Sequence, residues 1–293
     1  MSLNLHLLRL FATVARTGSF SRAAETLHIS QPSISKGVRD FELQVGCRLL
    51  DRTPKGVRLT REGQALARHA DQMFSVERAA EEELQSLRSL DSGSLRIGAS
   101  TTIATYMISE HLGLFHRTYP GIDLHLLIAN TRDVADLMLA HDIEIALVEG
   151  PVEDTVLDKR AWRTDVMSLI VEPQHRFAKV EHSIRAAELR HEVLIVREPG
   201  SGSREVVSQA LASTGIEPRR TLEIGSTEAI KHAVAAGLGV AIVSRATVSD
   251  QLNLGRLKIV PMIDLSIQRT LWQLKTPGRI EVPAAAAFEQ ILG

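Results

Sequence analysis

The chain has 293 residues, 44% hydrophobic and 24% charged, with a formal net charge of −1; this is ordinary globular composition, long enough for two or three cores without disulfide staples. A single cysteine, Cys47, excludes an internal disulfide and a cysteine-rich zinc site, and fits a structural thiol in a reducing compartment. The start, Met1-Ser-Leu-Asn-Leu-His, has no basic segment leading into an apolar one, and no run of about 18 apolar residues follows, so the expectation is a cytoplasmic protein that does not enter a membrane.

Charge is distributed unevenly. Residues 1–65 hold 10 Lys and Arg against 5 Asp and Glu, a net of +5, and the remainder carries −6. A basic head attracts phosphates with salt-dependent affinity, while an acidic body limits adhesion to DNA elsewhere.

In chain order, Leu5, Leu7, Leu8, Leu10, Phe11 and Val14 cover one face of a helix that runs to about Arg16 and ends at Thr17-Gly18. Ser21 is placed to cap a second helix with Ala23, Ala24 and Leu27 inward. After the tight connection His28-Ile29-Ser30, Ser30 caps a third helix with Pro32 in its first turn, where a missing N–H is harmless. Ile34, Val38 and Phe41 face inward; Gln31, Ser33, Ser35, Lys36 and Arg39 lie opposite. Two short helices joined tightly, the second polar and basic outside, are what major-groove docking requires. Gln31 suits bidentate readout of an adenine edge, and Ser35 and Lys36 reach neighbouring bases or phosphates. A small helical bundle with a solvated face would show the same spacing.

The stretch Phe20-Ser-Arg-Ala-Ala-Glu-Thr-Leu-His-Ile-Ser-Gln-Pro-Ser-Ile-Ser35, continued by Leu43, Gly46, Leu49-Leu50, Arg52 and Leu59-Thr60-Arg-Glu-Gly63, resembles the signature of the LysR family of transcriptional regulators. The resemblance implies a winged helix-turn-helix that binds double-stranded promoter DNA, its wing running from Leu49 to Leu59 and carrying Arg52, Thr53, Lys55 and Arg58 along the phosphate backbone. Ser21, Arg22 and Pro32 complete the expected DNA-contacting set. It also implies self-association to a dimer and tetramer, and contact with RNA polymerase.

Thr60 can cap a long helix whose apolar positions Leu66, Ala70, Met73, Ala80, Leu84 and Leu87 follow alternating steps of four and three, broken at Glu77. Such a seam predicts pairing with a twin helix, the alternative being an amphipathic helix on its own chain. Asp91-Ser-Gly-Ser94 reads as a hinge.

From Leu95 strands and helices alternate, which predicts a largely parallel sheet covered by helices. Strands are expected at Leu95–Gly98, Ile122–Ile128, Ile143–Val148, Val166–Val171, Val193–Val196, Leu222–Ile224, Val240–Val243 and Arg269–Gln273. Helices are expected from Ser100 toward Tyr119-Pro120, from Thr131 to Ala140, from Ser203, from Thr227 to Ala236, and at the end of the chain. This resembles the periplasmic-binding-protein-like, two-lobed effector domain of the same family. The expected fold is α/β overall: a DNA-binding domain at 1–60, a linker helix and hinge at 61–92, and an effector domain at 93–293, with lobe I about 93–164 and 266–293 and lobe II about 165–265.

Ligands of open α/β sheets lie beyond the carboxyl ends of strands, at helix N-termini. Three places qualify: Ser100-Thr101-Thr102, Asn130-Thr131, and Pro199-Gly-Ser201-Gly-Ser203-Arg204. Hydroxyls and backbone amides there can bind a carboxylate, sulfate or phosphate; helix capping explains each in isolation. Resemblance to family members that govern cysteine biosynthesis, sulfur assimilation and carbon dioxide fixation implies a small anionic effector. Glu149 would repel an anion unless paired, for example with Arg204, or would select an amine.

Other signals carry no function. Gly237-Leu-Gly239-Val240 precedes a strand and lacks a third glycine, so it is not a dinucleotide fingerprint. Ser244 stands where the family usually has proline, a departure given no role. The eleven histidines have no metal-ligand spacing and read as surface residues, and no nucleophile elbow or phosphate loop occurs; no cofactor, metal or catalytic role is expected. A carrier or enzyme on the α/β fold, and an architectural nucleoid protein, are the competing classes.

Overall fold

The computed structural model describes residues 3–53, 56–86, 92–152, 156–180 and 182–293. The sequence expectations at Lys55, Leu87 and Asp91 lie outside the described residues, as do the side chains of Arg52 and Thr53. The chain divides into two compact units, Met1–Glu81 and Glu82–Gly293.

The first unit begins with α1 (Leu5–Thr17), α2 (Phe20–Leu27) and α3 (Gln31–Val45). Leu8, Leu10, Phe11 and Val14 of α1 meet Ala23, Ile34, Val38 and Phe41 in one core, with Phe11 and Phe41 rings 6.1 Å apart. Leu5 is an exception to the predicted face and is 52% exposed. A Cβ on Gly37 would stand 2.3 Å from Leu10 Cδ1, so α1 and α3 cross closely there and a larger residue would displace the Leu10 side chain from the core. Asn4 caps α1 and Ser30 caps α3. For α2 the cap is Ser19, whose hydroxyl accepts from the Arg22 N–H at 3.4 Å; Ser21, expected in that role, lies inside the helix. Strands β1 (Leu50–Thr53) and β2 (Gly56–Leu59) pair antiparallel, with Arg52 opposite Val57 and Thr53 opposite Gly56. The Glu42 carboxylate anchors the start of this hairpin by accepting from Leu49 and Leu50 N–H groups at 2.8 and 3.1 Å.

Thr60 caps α4 (Arg61–Ser86), accepting from Gly63 N at 3.0 Å. Its first turns pack Leu66, Ala67, Ala70 and Phe74 on the core of their own unit. Arg9 stacks over the Phe74 ring at 4.3 Å and pairs with Glu77, which explains why a carboxylate interrupts the apolar pattern there. Met73, Val76 and Leu84 stay exposed at 39, 55 and 66%.

The second unit alternates as expected: β3 (Gly93–Ser100), α5 (Thr101–Tyr106), α6 (Ser109–Thr118), β4 (Ile122–Ala129), α7 (Thr131–Leu139), β5 (Ile145–Glu149), β6 (Asp158–Val171), β7 (Val193–Val196), α8 (Gly202–Ser213), β8 (Arg220–Glu223), α9 (Thr227–Ala235), β9 (Val240–Ser244), α10 (Ser249–Asn253), β10 (Lys258–Val260), β11 (Ile267–Lys275) and α11 (Pro283–Leu292). The helix expected from Ser100 to Tyr119 is two helices, because the N–H groups of Met107 and Ile108 both turn back to Ile103 O. Among the described residues the strands form a nine-stranded sheet in the order β4-β3-β5-β11-β6-β9-β7-β8, with β10 on β6.

Lobe I is the parallel set β4-β3-β5, and lobe II the parallel set β9-β7-β8. Antiparallel β6 and β11 run through both and join them. In β9 alternate residues serve two cores: Val240 and Ile242 one, Ala241 and Val243 the other. Burial on both faces is why β5 and β9 read as unbroken apolar runs.

Candidate functional site

In the first unit, α2 and α3 are joined by His28-Ile29-Ser30, with His28 in the left-handed region at φ 53° closing α2. Gln31, Pro32, Ser33, Lys36 and Arg39 are exposed on α3 and Ser35 is half-buried, while Ile34, Gly37, Val38 and Phe41 face the core. Ser21 and Arg22 are exposed on α2, and Arg58 is exposed on β2. The Ser33 hydroxyl is 2.7 Å from that of Ser30 and belongs to the cap. The α3 face therefore presents an amide, a lysine and an arginine on a helix whose other side is fixed, the arrangement that groove binding needs. Cys47 is half-buried against the same core.

In the second unit, Ser100, Glu149, Arg197 and Ser244 stand at or just beyond the carboxyl ends of β3, β5, β7 and β9, where the two lobes face each other. A cavity of about 20 Å³, room for about one water, is bordered by Thr102 of lobe I and by Arg197, Ser203, Arg204, Thr227 and Ser244 of lobe II. Thr102, at the start of α5, is 1% exposed. Arg197 donates to Thr227 Oγ1 at 3.0 Å and to Glu198, and reaches across to Thr101 Oγ1 at 3.4 Å. Beside it the buried Lys231 donates to the Tyr106 hydroxyl and to Thr247 O, both at 2.7 Å. Two cations thus bridge from lobe II to lobe I.

The predicted hydroxyl positions have different neighbours from one another. Asn130 caps α7, accepting from Asp133 N at 2.9 Å, and Thr131 donates to the Glu149 carbonyl at 3.0 Å; neither borders the cavity. Ser201 occupies the position before α8 without a side-chain cap. Ser100 and Ser203 both donate to the Glu149 carboxylate, Ser203 at 3.1 Å. The partner imagined for Glu149, Arg204, bonds instead to Arg197 O and Glu223 at 2.8 and 2.7 Å. Arg269 fills the place: its Nη1 lies 3.5 Å from Glu149 Oε1 and donates to Ser203 Oγ at 2.7 Å, while its Nε donates to Asp165 at 2.7 Å.

Sequence reasoning missed Arg269 and Asp165 because they sit 104 positions apart, brought face to face by the β6–β11 register. It also gave Ser244 no role, whereas the Ser244 hydroxyl donates to Asp165 at 2.8 Å, a bond that proline at this position would forgo. The reading of the histidines as surface residues fails at His141, which is 7% exposed. The lobes touch closely: a Cβ on Gly202 would stand 1.7 Å from the Glu149 carbonyl oxygen.

Known proteins share this organisation. A family model described as "Bacterial regulatory helix-turn-helix protein, lysR family" matches residues 5–64, and one described as "LysR substrate binding domain" matches residues 88–293. A "Probable RuBisCO transcriptional regulator" of Cyanidioschyzon merolae is 34% identical over 289 residues, covering 97% of this chain and 95% of its own. A full-length OxyR variant of Pseudomonas aeruginosa superposes with a TM-score of 0.77 at 24% identity, covering 100% of this chain and 94% of that one, a likeness of fold. The regulatory domain of CcmR from Synechocystis PCC6803, solved with 2-PG, has a TM-score of 0.64 at 28% identity, covering 69% of this chain and 96% of that one.

Proposed function

The chain belongs to the LysR family of bacterial transcription regulators, and from that premise we propose that it is a cytoplasmic, sequence-specific regulator that reads promoter DNA with α3 and answers to a small anion held between its lobes. The observation that carries the effector half is the inter-lobe cavity where, on a floor of Ile195, Val207, Ile230 and Ile242, the Thr102 hydroxyl of lobe I meets Arg197, Ser203, Arg204 and Thr227 of lobe II. Guanidinium and hydroxyl donors are the natural partners of carboxylate, sulfate and phosphate. The 2-PG found in the Synechocystis relative is of this class. A cavity of about 20 Å³ is smaller than a phosphorylated acid, so binding opens the lobes and shifts an equilibrium between two arrangements.

DNA contact is assigned to Ser21, Arg22, Gln31, Pro32, Ser33, Ser35, Lys36 and Arg39, and to the wing residues Arg52, Thr53, Lys55 and Arg58. Domain limits follow function: residues 1–60 bind DNA, 61–92 pair two chains, and 93–293 sense the effector. The exposed Met73, Val76 and Leu84 on α4 support pairing to a dimer, since exposed apolar groups at helical spacing favour a partner; a tetramer is the further assembly state. Contact with RNA polymerase at the promoter belongs to the same reading.

Two measurements test this. In mobility-shift competition, Gln31→Ala should flatten the preference for promoter over random DNA, and Arg58→Ala should weaken every sequence alike while reducing the salt slope by about 1. Equal competition by random DNA against the unaltered chain would instead favour an architectural role. In thermal-shift assays of the full chain, an anion at about 100 times its Kd should stabilise by about 2.7 kcal/mol, several degrees for a domain this size. Sulfate, inorganic phosphate and 2-phosphoglycolate without effect would remove the anion assignment.

A further inference from the structure

Glu149 lies behind the inter-lobe cavity and is linked to it through Ser203, which borders the cavity. The Glu149 side chain is 2% exposed, and its carboxylate accepts hydrogen bonds from the hydroxyls of Ser100 in lobe I and Ser203 in α8. A hydroxyl has one proton to give. Ser203 borders the cavity, yet its hydroxyl donates to Glu149 and its oxygen accepts from Arg269. Charge accounting points the same way. Glu149 and Asp165 are two buried carboxylates around one guanidinium, Arg269, whose Nη2 is buried without a partner. A third negative group on these hydroxyls would crowd the two carboxylates already sharing Arg269, and its offsetting charge would have to come from Arg197 and Arg204 across the cavity. The rest of the cavity is disposed the other way: the carboxylates opposing Arg197 and Arg204 are the more solvated Glu198 and Glu223.

We infer that Glu149 is the specificity-setting residue of the inter-lobe site, an internal carboxylate that competes with an external anion for the Ser203 hydroxyl. The inference rests on the anion reading given above. An anion entering against Thr102, Arg197 and Thr227 gains Ser203 only by releasing Glu149. That release also breaks the Ser100–Glu149–Ser203 link, which ties one lobe to the other. Neutral hydroxyl or carbonyl ligands are weaker acceptors than a carboxylate and lose this competition, so the site favours strong acceptors such as sulfate and phosphate groups.

The test is calorimetric titration of the full chain with sulfate and with inorganic phosphate, comparing the unaltered protein with Glu149→Gln and Ser100→Ala. Removing the competing charge in Glu149→Gln should tighten both anions by about tenfold, the scale of one hydrogen bond to a charged group. Ser100→Ala loosens Glu149 without touching the cavity, and should also tighten them; were Ser100 itself an effector donor, the same change would weaken them. Anions that bind the unaltered chain, and bind both variants equally or less well, overturn the inference and leave the anion reading standing. Absence of sulfate and phosphate binding to all three chains overturns the anion reading and the inference with it. If Glu149→Gln shows no cooperative melt, the sign of the Ser100→Ala effect decides.

Discussion

Arg269 is the residue on which the buried charge of the effector unit turns. Its side chain is 1% exposed and it is shared between Asp165 at 2.7 Å and Glu149 at 3.5 Å. An ion pair of this kind contributes little net stability against an apolar isostere, but losing one partner strands the others. Arg269→Met therefore leaves two buried carboxylates without a cation, and should destabilise the unit by about 3 to 5 kcal/mol, read as a lowered thermal midpoint. Arg269→Met with Glu149→Gln and Asp165→Asn should recover much of the loss; a triple variant as unstable as the single would show that packing, not charge, was at stake. A second residue reports on pH. His111 Nε2 accepts from Arg163 Nη2 at 2.9 Å, and its ring lies edge-on to Trp162 at 5.8 Å. Burial, and then the Arg163 charge, push this imidazole below its ordinary value, so the folded chain keeps it neutral where the unfolded chain has begun to protonate it. Its stabilising contribution is present above about pH 6.5 and is lost as pH falls through the lowered folded value. The protonated ring quenches indole emission, so Trp162 fluorescence should fall with a midpoint below about 6.5. The step should vanish in His111→Gln; its persistence there would assign it elsewhere.

At the scale of single elements, the caps separate two neighbouring serines that the sequence alone does not distinguish. Ser19 holds the Arg22 N–H and Ser21 does not, so Ser19→Ala should lower stability by about 1 kcal/mol and Ser21→Ala by less than about 0.5 kcal/mol in chemical denaturation. The reverse order would return the cap to Ser21. The sequence misplaced it because Ser19 and Ser21 both precede a helical pattern, and only the extended backbone at Ser19, φ −154° and ψ 129°, selects between them. Helices α1 and α3 were legible from apolar spacing, as were the buried strands β5 and β9, because burial writes a period into the sequence. The first half of β6 was not. Residues 158–165 are mostly exposed and polar, and are held by backbone bonding to β11, which leaves no side-chain period to read. The site divides along the same line: hydroxyls at strand ends follow from local order, whereas Arg269 opposite Asp165 follows only from sheet register.

At the scale of the whole chain, the tryptophans provide a reporter confined to one unit. The sequence holds two, Trp162 on β6 and Trp272 on β11, both on the strands that join the lobes. The DNA-binding unit has none, so emission is blind to DNA contact itself and sensitive to how the crossover strands are set. Coupling between sites is reciprocal: if an anion changes the affinity for promoter DNA by some factor, DNA changes the affinity for the anion by that same factor. Phosphate titrated against tryptophan emission, with and without a saturating promoter duplex, should give two binding constants. Their ratio should equal the ratio of DNA affinities measured with and without phosphate. A typical coupling of about 1 to 3 kcal/mol corresponds to a ratio of roughly 5 to 150. Two identical phosphate curves, together with DNA affinity that phosphate leaves unchanged, would mean that the units act independently, and regulation by a bound anion would then lack its physical basis in this chain.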